Sequence, residues 1–264
     1  MDTNEQLNGQ EQGQDQSQTH DADPTHIEFL LRSGMEALGL IPEPHVLAQF
    51  MQYKDLLLTW NEKMNLTAIT EDRDVIIKHF LDSLTVMSCL DKPGAPLRVV
   101  DVGTGAGFPG IPFQIMNPQA HVVLLDSLNK RITFLKEAAQ ELGLPHLTCV
   151  HMRAEEAGKQ PDYRDAFDIC FSRAVARLSV LTEYCLPLVK VGGRFIAMKG
   201  PDTVQEIAEA QPAIKALGGK IADVKTVLLP HSEINHTLIV IKKIRQTPPK
   251  YPRNAGLITK NPIK

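Results

Sequence analysis

The sequence of 264 residues is poor in the features that usually narrow a function. Aromatic residues make up only 5% of it, its four cysteines form no CxxC pair, and no apolar run reaches the roughly 18 residues of a membrane helix. The low aromatic content argues against extensive stacking on single-stranded bases. Isolated cysteines among apolar neighbours indicate buried thiols of a reducing compartment and neither a disulfide framework nor a metal site. We therefore expect a cytoplasmic protein with no membrane span and no bound metal.

Charge is present but unevenly placed along a chain of net charge -3. Residues 1–28 hold seven acidic side chains and no Lys or Arg, whereas the stretch from residue 242 onward holds seven basic side chains and no acidic one. The Gln- and Asp-rich segment 1–25 is typical of a disordered tail. The basic segment 247–264 indicates a second tail, which either binds a polyanion or is simply solvated.

The pattern of apolar residues changes near residue 93. Residues 26–92 carry apolar side chains at helical spacing, which predicts a small N-terminal helical cap. Over 93–246 short apolar runs alternate with amphipathic stretches, a pattern typical of βαβ units and a mostly parallel sheet. The candidate strands are 98–102, 121–126, 147–150, 167–172, 193–199 and 237–244. Because ligands bind at the carboxyl ends of such strands, the residues just after each run are the candidates for function.

The first candidate strand runs into VVDVGTGAGFPG (99–110), which has four glycines in eight positions. The dinucleotide fingerprint GxGxxG fits Gly105, Gly107 and Gly110, but that match alone is weak. A second register, Gly103-x-Gly105-x-Gly107, begins directly at the strand end where the tight turn is needed and makes these three glycines candidate ligand contacts. Two prolines in and after the loop also remove amides that a pyrophosphate cradle would use, so the second register is favoured.

Two acidic residues indicate what this loop binds. Asp101 lies two residues before Gly103, where a carboxylate suits an ammonium group better than a phosphate. S-adenosyl-L-methionine has an α-ammonium and a ribose but no phosphate, and Asp126 is placed to accept both ribose hydroxyls. A dinucleotide would use Asp126 in the same way. The alternative without a ligand is a tight turn capped by Asp101.

The later strand ends carry further candidates. Ala154 and Glu155 follow the third strand and are expected at the adenine edge, although Glu155 also suits the first turn of a helix. Arg173 and Arg177 follow the fourth strand at i, i+4 spacing and suit a nucleic acid better than a neutral metabolite. They can also be read as two arginines on an exposed helix start.

Seven strings spread over the chain together resemble the RsmG (GidB) family, the bacterial 16S ribosomal RNA guanine-N7 methyltransferases. They are WNEKMNLTAI (60–69), HFLDSL (79–84), DVGTGAGFPGIP (101–112), DSLNKRITFL (126–135), RAEE (153–156), SRAVARL (172–178) and YPRNAG (251–256). The departures are the long acidic head and Arg153, where a glycine is common.

The resemblance implies a Rossmann-like class I S-adenosylmethionine-dependent methyltransferase fold, α/β with a mostly parallel seven-stranded sheet. It implies S-adenosyl-L-methionine as donor and a guanine at position 527 of 16S rRNA, in the decoding region of the small ribosomal subunit, as acceptor. The donor contacts that it implies are Gly103, Phe108, Ala154, Glu155 and Arg173.

Guanine N7 has a lone pair and no proton, so in-line methyl transfer to it needs alignment and no general base. No catalytic residue is therefore named. His79 and Asp82 lie one turn apart and are expected to form a hydrogen-bonded pair, structural or catalytic. The residues expected to contact RNA around the mouth of the site are Arg131, Arg173, Arg177 and Lys199. Those expected in a flanking basic strip are Lys242, Lys243, Arg245 and Arg253.

We expect a monomer that binds neither DNA nor a membrane. Three other functions stay open at this point. The chain can be a methyltransferase of a small molecule or protein, or a ribosome-assembly factor that uses the donor only as a structural ligand. A nicotinamide oxidoreductase is the third, and it rests on the dinucleotide register of the glycine loop.

Overall fold

The computed structural model describes residues 24–92 and 94–264, so the disorder expected over 1–25 falls almost wholly outside the described residues. The described part contains a sheet of seven strands in the order β3-β2-β1-β4-β5-β7-β6. Neighbouring strands are parallel, except that β7 runs antiparallel to both β5 and β6. The strands are β1 Arg98–Val102, β2 His121–Asp126, β3 Leu147–His151, β4 Phe167–Arg173, β5 Val189–Lys199, β6 Gly219–Leu228 and β7 Asn235–Lys243. The predicted Rossmann-like methyltransferase fold is confirmed.

The strand that sequence periodicity missed is β6. It lies at the edge of the sheet and pairs only with β7. After the buried Gly219 its residues are half-buried or exposed, and they include Lys220, Asp223 and Lys225. Because one face and one edge of this strand meet solvent, it lacks the continuous apolar run that identified the central strands.

Helices cover both faces of the sheet. The larger ones are α1 Pro24–Ala37, α2 Pro44–Met64, α5 Gly110–Met116, α6 Asn129–Glu141, α8 Leu178–Cys185 and α9 Val204–Ala216; α7 Ala154–Ala157 and α10 Ala255–Lys260 are short. The last part of the predicted helical region is a continuous run of changing pitch. It comprises α3 Asp72–Asp74, a π-helical segment Val75–Leu81, α4 Asp82–Leu84 and a 3-10 turn Thr85–Cys89. π-helical segments often occur at functional sites, and this one faces the cavity described below.

The N-terminal helices share one hydrophobic core with a face of the sheet. Phe50 and Tyr53 of α2 pack on Phe80 of the π-helical segment, with ring centroids 5.1 and 5.3 Å apart. The Tyr53 hydroxyl also donates a hydrogen bond to the Ala106 carbonyl in the glycine loop. The segment expected as a cap is therefore a layer that packs on the sheet's own helices and supports the loop.

The C-terminal residues expected as a basic tail are packed against the body of the protein. The Arg164 guanidinium donates to the backbone carbonyls of Thr247 and Tyr251 at 2.8 and 2.9 Å. Beyond them Ile258 of α10 is buried. Residues 247–264 are thus held in place and are not a free tail. Among the described helices none is both long and apolar enough to cross a bilayer.

Candidate active site

A cavity of about 840 Å³ opens at the carboxyl ends of the parallel strands. Open α/β sheets bind ligands at this edge, because the loops that follow neighbouring strands at a reversal of strand order, here β1 and β4, run to opposite faces of the sheet and leave a crevice between them. Its floor is formed by the ends of β1, β2, β4 and β5, and its roof by the π-helical segment and the loop that follows α2. The predicted site residues that line it are Gly103, Gly105, Phe108, Asp126, Arg131, Ala154, Glu155, Arg173 and Lys199.

Three glycines of the loop have positive φ angles, and two of them, Gly103 and Gly105, line the cavity. Gly103 and Gly105 have φ angles of +69° and +64°, a left-handed conformation that other residues adopt at a cost of about 1 kcal/mol or more. A Cβ on Gly103 would meet Val175 at 2.6 Å, whereas a Cβ on Gly105 would meet no atom within 4 Å. Gly105 therefore leaves open a space that a ligand can occupy, while its amide donates to Asp126 Oδ2 at 3.0 Å.

Asp101 and Gly107 support the loop from behind and do not line the cavity, which corrects their assignment as direct donor contacts. Asp101 is fully buried, and its Oδ2 accepts hydrogen bonds from the Thr104 hydroxyl at 2.7 Å and the Gly110 amide at 2.9 Å. Burial raises the pKa of this carboxyl to about 6. A Cβ on Gly107 would come within 2.7 Å of the Tyr53 hydroxyl, so this glycine permits close packing on α2.

Asp126 ends β2 with its side chain in the cavity wall. Besides the Gly105 amide, the carboxylate accepts a hydrogen bond from the Leu128 amide at 2.9 Å and one from Arg131 Nη1 at 3.2 Å. Two carboxylate oxygens offer about four acceptor positions, so these three contacts leave capacity for a ligand hydroxyl. The loop, the strand end and α6 are thus tied together around one carboxylate.

A second acidic side chain lies further along the same half of the cavity. Glu155 is in the first turn of α7, is buried apart from its cavity-facing part, and has Arg153 Nη1 4.0 Å from one carboxylate oxygen. Met152 and Tyr184 line the wall beside it. Two carboxylates beside apolar side chains suit the hydroxyls and the base of a nucleoside, and the two arginines of this half, Arg131 and Arg153, each lie next to one of those carboxylates.

Arg173 is the centre of a hydrogen-bond network that the sequence reading only partly anticipated. Its Nη1 donates to Asp82 Oδ2 at 2.8 Å and to the Lys78 carbonyl at 2.9 Å, and its Nη2 lies 3.2 Å from His79 Nδ1. The guanidinium also lies over the Phe108 ring, 5.0 Å from its centroid. His79 and Asp82, expected to pair with each other, are bridged by Arg173.

The position of the proton on His79 follows from its neighbours. Arg173 can only donate hydrogen bonds, so His79 Nδ1 must accept. The proton of the neutral ring then lies on Nε2, which donates to Thr67 Oγ1 at 2.8 Å. Burial and the Arg173 charge lower the pKa of His79 to about 4, so the ring stacked on Phe108 at 4.4 Å is neutral near pH 7.

His236 is a cavity residue that the sequence reading did not identify. It lies at the start of β7, and its Nδ1 is 2.5 Å from Asp82 Oδ1, a residue 154 positions away in the chain. The hydrogen bond to Asp82 raises the pKa of His236 above its ordinary value. A single histidine at the start of a strand has no spacing that would indicate such a partner.

The comparisons with known proteins agree with this geometry. The family model described as GidB, rRNA small subunit methyltransferase G, matches residues 46–235. The chain belongs to this family. It is 52% identical over 238 residues to ribosomal RNA small subunit methyltransferase G of Alkaliphilus metalliredigens (strain QYMF), with 89% of this chain and 98% of that relative covered. It is 51% identical over 234 residues to the protein of the same name from Acetivibrio thermocellus, with 89% and 96% covered.

A solved structure from Pyrococcus horikoshii shares the fold, with a TM-score of 0.50 and 14% identity over 62% of this chain and 64% of that one. Membership of the rRNA small subunit methyltransferase G family makes the chain a methyltransferase, and this class of enzyme implies S-adenosyl-L-methionine as the donor. Among the described residues no group of three or more His, Cys, Asp or Glu side chains is arranged to hold a metal ion.

The basic residues of the methyltransferase divide between two edges of the sheet. Arg131, Arg173 and Lys199 line the cavity, and the Arg177 side chain is 79% exposed at the start of α8. Lys199 is tied by its ammonium to Glu206 at 2.7 Å and to the Ala176 carbonyl at 2.9 Å.

The expected flanking strip does not flank the cavity. Lys242 pairs with Arg194 in the middle of β5, and the antiparallel β7 continues from there toward the amino edge of the sheet, whereas the cavity lies beyond Lys199 at the carboxyl end of β5. Lys243 is fully buried and donates to Asp165 at 3.1 Å and to two backbone carbonyls. It is therefore not an RNA contact but a structural cation.

The remaining two members of the strip are also engaged elsewhere. Arg245 is at the same amino edge, where its guanidinium donates to the Lys215 carbonyl. Arg253 forms several hydrogen bonds to the buried carboxylate of Glu183 on α8. Neither side chain lines the cavity, so the four residues do not form one RNA-binding surface beside it.

Proposed function

We propose that this methyltransferase transfers a methyl group from S-adenosyl-L-methionine to N7 of the guanine at position 527 of 16S rRNA. The observation that carries the proposal is a cavity at the carboxyl edge of a methyltransferase sheet, in a chain of the rRNA small subunit methyltransferase G family. One half of the cavity has the groups to hold a nucleoside, and its mouth carries exposed cations suited to a phosphate backbone.

The donor half is formed by the ends of β1, β2 and β3. We assign the ribose hydroxyls to Asp126, whose carboxylate retains acceptor capacity, and the adenine edge to Ala154 and Glu155. The space in front of Gly105 accommodates the ligand without a Cβ in the way. The Phe108 backbone and the Gly103 turn complete this half, with Arg173 closing it toward the acceptor.

The acceptor needs placement more than acid–base chemistry. S-adenosyl-L-methionine supplies an electrophilic methyl group, which the N7 lone pair takes directly. The protein then has to hold the base in line and keep its own groups from competing for N7. Arg173 is suited to orient the donor side because it is fixed by Asp82, Lys78 and Phe108 and cannot rotate freely.

RNA contacts are proposed at the carboxyl edge only. Arg177 is mostly exposed and follows the cavity-lining Val175 by two residues, and Arg131, one-third exposed, lines the cavity itself. Lys199 is already paired, so it orders the loop after β5 as well as adding positive charge. Lys242, Lys243 and Arg245 lie at the opposite edge and are not included.

The test uses 30S subunits and free 16S rRNA from cells that lack this protein, incubated with the protein and labelled S-adenosyl-L-methionine. Borohydride reduction and aniline scission then locate N7-methylguanine. We expect a single new scission at position 527 in at least one of the two substrates. Binding of the donor without transfer to either substrate would overturn the assignment and direct the search to small-molecule and protein acceptors.

A further inference from the structure

The cavity has a second half that the donor contacts leave unused. Its walls come from the loop after α2, which contributes Thr67 and Ile69, and from the start of β7, which contributes Ile234 and His236. Arg173 separates this half from the donor half. A base entering from the mouth therefore meets the Ile69, Ile234 and His236 side chains.

His236 is held so that one ring nitrogen faces this space. Its Nδ1 is bonded to Asp82 Oδ1, and Asp82 is fixed in turn by Arg173 on its other oxygen. The Asp82 side chain is 1% exposed and the His236 side chain is 27% exposed. The ring nitrogen Nε2 has no hydrogen-bond partner among the described residues, so it is the group that the Asp82–His236 pair presents to an incoming base.

The movement of charge during methyl transfer indicates which protonation state of His236 would assist the reaction. The N7–carbon bond forms as the carbon–sulfur bond breaks and its electron pair goes to sulfur, so one positive charge moves from sulfur onto the purine. The Asp82–Arg173 pair is neutral overall, and a protonated His236 would add a positive charge beside a base that is becoming positive. A neutral imidazole whose Nε2 accepts a hydrogen bond from the base stabilises that charge instead.

We propose that neutral His236, oriented by Asp82, contacts the acceptor guanine by accepting a hydrogen bond from its N1–H or amino group through Nε2. This inference rests on the proposed function, because it names the residue that reads the acceptor in that same reaction. The N1 proton stays on the guanine throughout, so no general base is introduced. Asp82 is a positioning residue, since it acts on the base only through His236.

The groups around His236 set the pH at which it is neutral. Asp82 raises the pKa of His236 and Arg173 lowers it, with the Asp82 hydrogen bond the largest cause and the net shift upward. His79 on the π-helical segment is neutral near pH 7, and Lys199, near the adjacent end of β5, is paired with Glu206. The active neutral form therefore increases as pH rises through a pKa above 6.5.

The experiment compares three variants of the full-length protein with the wild type on 30S subunits that lack the modification. H236F keeps the ring and removes both nitrogens, and H236Q keeps an acceptor that does not titrate. H121Q is the control, because His121 is exposed at the opposite edge of the sheet. Single-turnover rates at saturating 30S subunits are measured from pH 5.5 to 8.5, with donor affinity by calorimetry and folding by thermal melting.

We expect the wild-type rate to rise with pH through a pKa above 6.5, and H121Q to behave in the same way. H236F should lose on the order of 30-fold in rate at pH 8 with donor affinity unchanged, and its rate should not depend on pH in this range. H236Q should keep part of the rate and lose the pH dependence. If H236F misfolds, H236Q alone carries the test.

Two results would overturn the inference. One is a wild-type pH dependence that persists in H236Q; the other is a wild-type rate that falls as pH rises, which would mean that a protonated His236 donates to the base. If the wild-type protein binds the donor but methylates neither 30S subunits nor free 16S rRNA, the proposed function is wrong and this inference fails with it. The two failures are therefore distinguishable.

Discussion

The two edges of the sheet each hold a cation that is largely removed from solvent, but the two cations have different roles. At the carboxyl edge the Arg173 side chain bonds Asp82, the Lys78 carbonyl and His79 and still lines the cavity. At the amino edge the Lys243 ammonium donates all three of its hydrogen bonds, to Asp165 and to two backbone carbonyls, and it does not line the cavity. A basic residue in the sequence is therefore available for function only where the strand direction leaves it facing open space.

The largest expected effect comes from replacing each of these two cations with methionine. Arg173→Met should lower kcat/KM for methyl transfer on the order of 100-fold, because the donor half loses its fixed guanidinium. Lys243→Met should leave kcat per folded molecule unchanged and lower the free energy of unfolding by about 2 kcal/mol, because Asp165 and two carbonyls lose their donor. Steady-state kinetics and urea denaturation measure both. Equal losses of activity in the two variants would contradict the division between the edges.

Two left-handed glycines provide the next comparison. Gly105 and Gly143 have φ angles of +64° and +63°, and a Cβ on either meets nothing within 4 Å, but only Gly105 lines the cavity. An alanine at either position should cost about 1 kcal/mol in backbone strain. Only Gly105→Ala should also weaken binding of S-adenosyl-L-methionine, on the order of tenfold, because its methyl group enters the ligand space. Calorimetry that finds equal donor affinity in both variants would show that the ligand does not occupy this space.

The pH dependence of the free energy of unfolding tests the shifted pKa values of His79 and Asp101. The folded-state pKa of His79 is lowered to about 4, so its contribution to stability is present above pH 6.5 and is lost as pH falls toward 4. The pKa of Asp101 is raised to about 6, so its contribution has the opposite sign over nearly the same interval. The wild type should therefore change little between pH 7 and pH 5.

His79→Gln removes only the first of these opposing contributions. Relative to the wild type, its free energy of unfolding should gain about 2 kcal/mol on going from pH 7 to pH 5. Guanidinium denaturation at the two pH values measures that difference. A constant difference between the variant and the wild type would mean that His79 titrates normally in the folded protein.

The smallest expected effect concerns the exposed cations. Arg177→Ala at the carboxyl edge should weaken binding to the RNA substrate a few-fold and reduce the slope of log affinity against log salt by about 1. Lys242→Ala at the amino edge should leave both quantities unchanged, because this side chain lies away from the cavity. Filter binding over a range of salt concentrations distinguishes the two variants. A reduced salt slope in Lys242→Ala would show that the amino edge also contacts RNA.

The central strands and the glycine loop were readable from the sequence because each depends on neighbouring residues. Fully buried parallel strands need continuous apolar runs, and a loop that turns at Gly103 and Gly105 needs glycine at those positions. Ala154, Glu155 and Arg173 were readable for a related reason, since each directly follows or ends a strand. The edge strand β6 was missed because its solvent-facing side carries charges.

Contacts between distant residues were not readable. Nothing in the spacing of His236 indicates that it bonds Asp82, and His79 and Asp82 were expected to bond each other because one helical turn separates them. The structure places Arg173 between them instead. Asp101 likewise has the position of a ligand-binding acid in the sequence, yet its partners are Thr104 and Gly110 in the loop that it supports.

The sequence by itself determined the class of this protein, the central strands of its sheet and the glycine loop that follows the first of them. Those properties follow from local backbone preference and from the need to bury apolar runs, both of which act over a few residues. The tertiary structure alone decided which charges face the cavity. Strand direction carries Lys243 to the closed edge of the sheet and brings His236 beside Asp82, and a contact made across 154 residues of chain is specified by packing and not by sequence spacing.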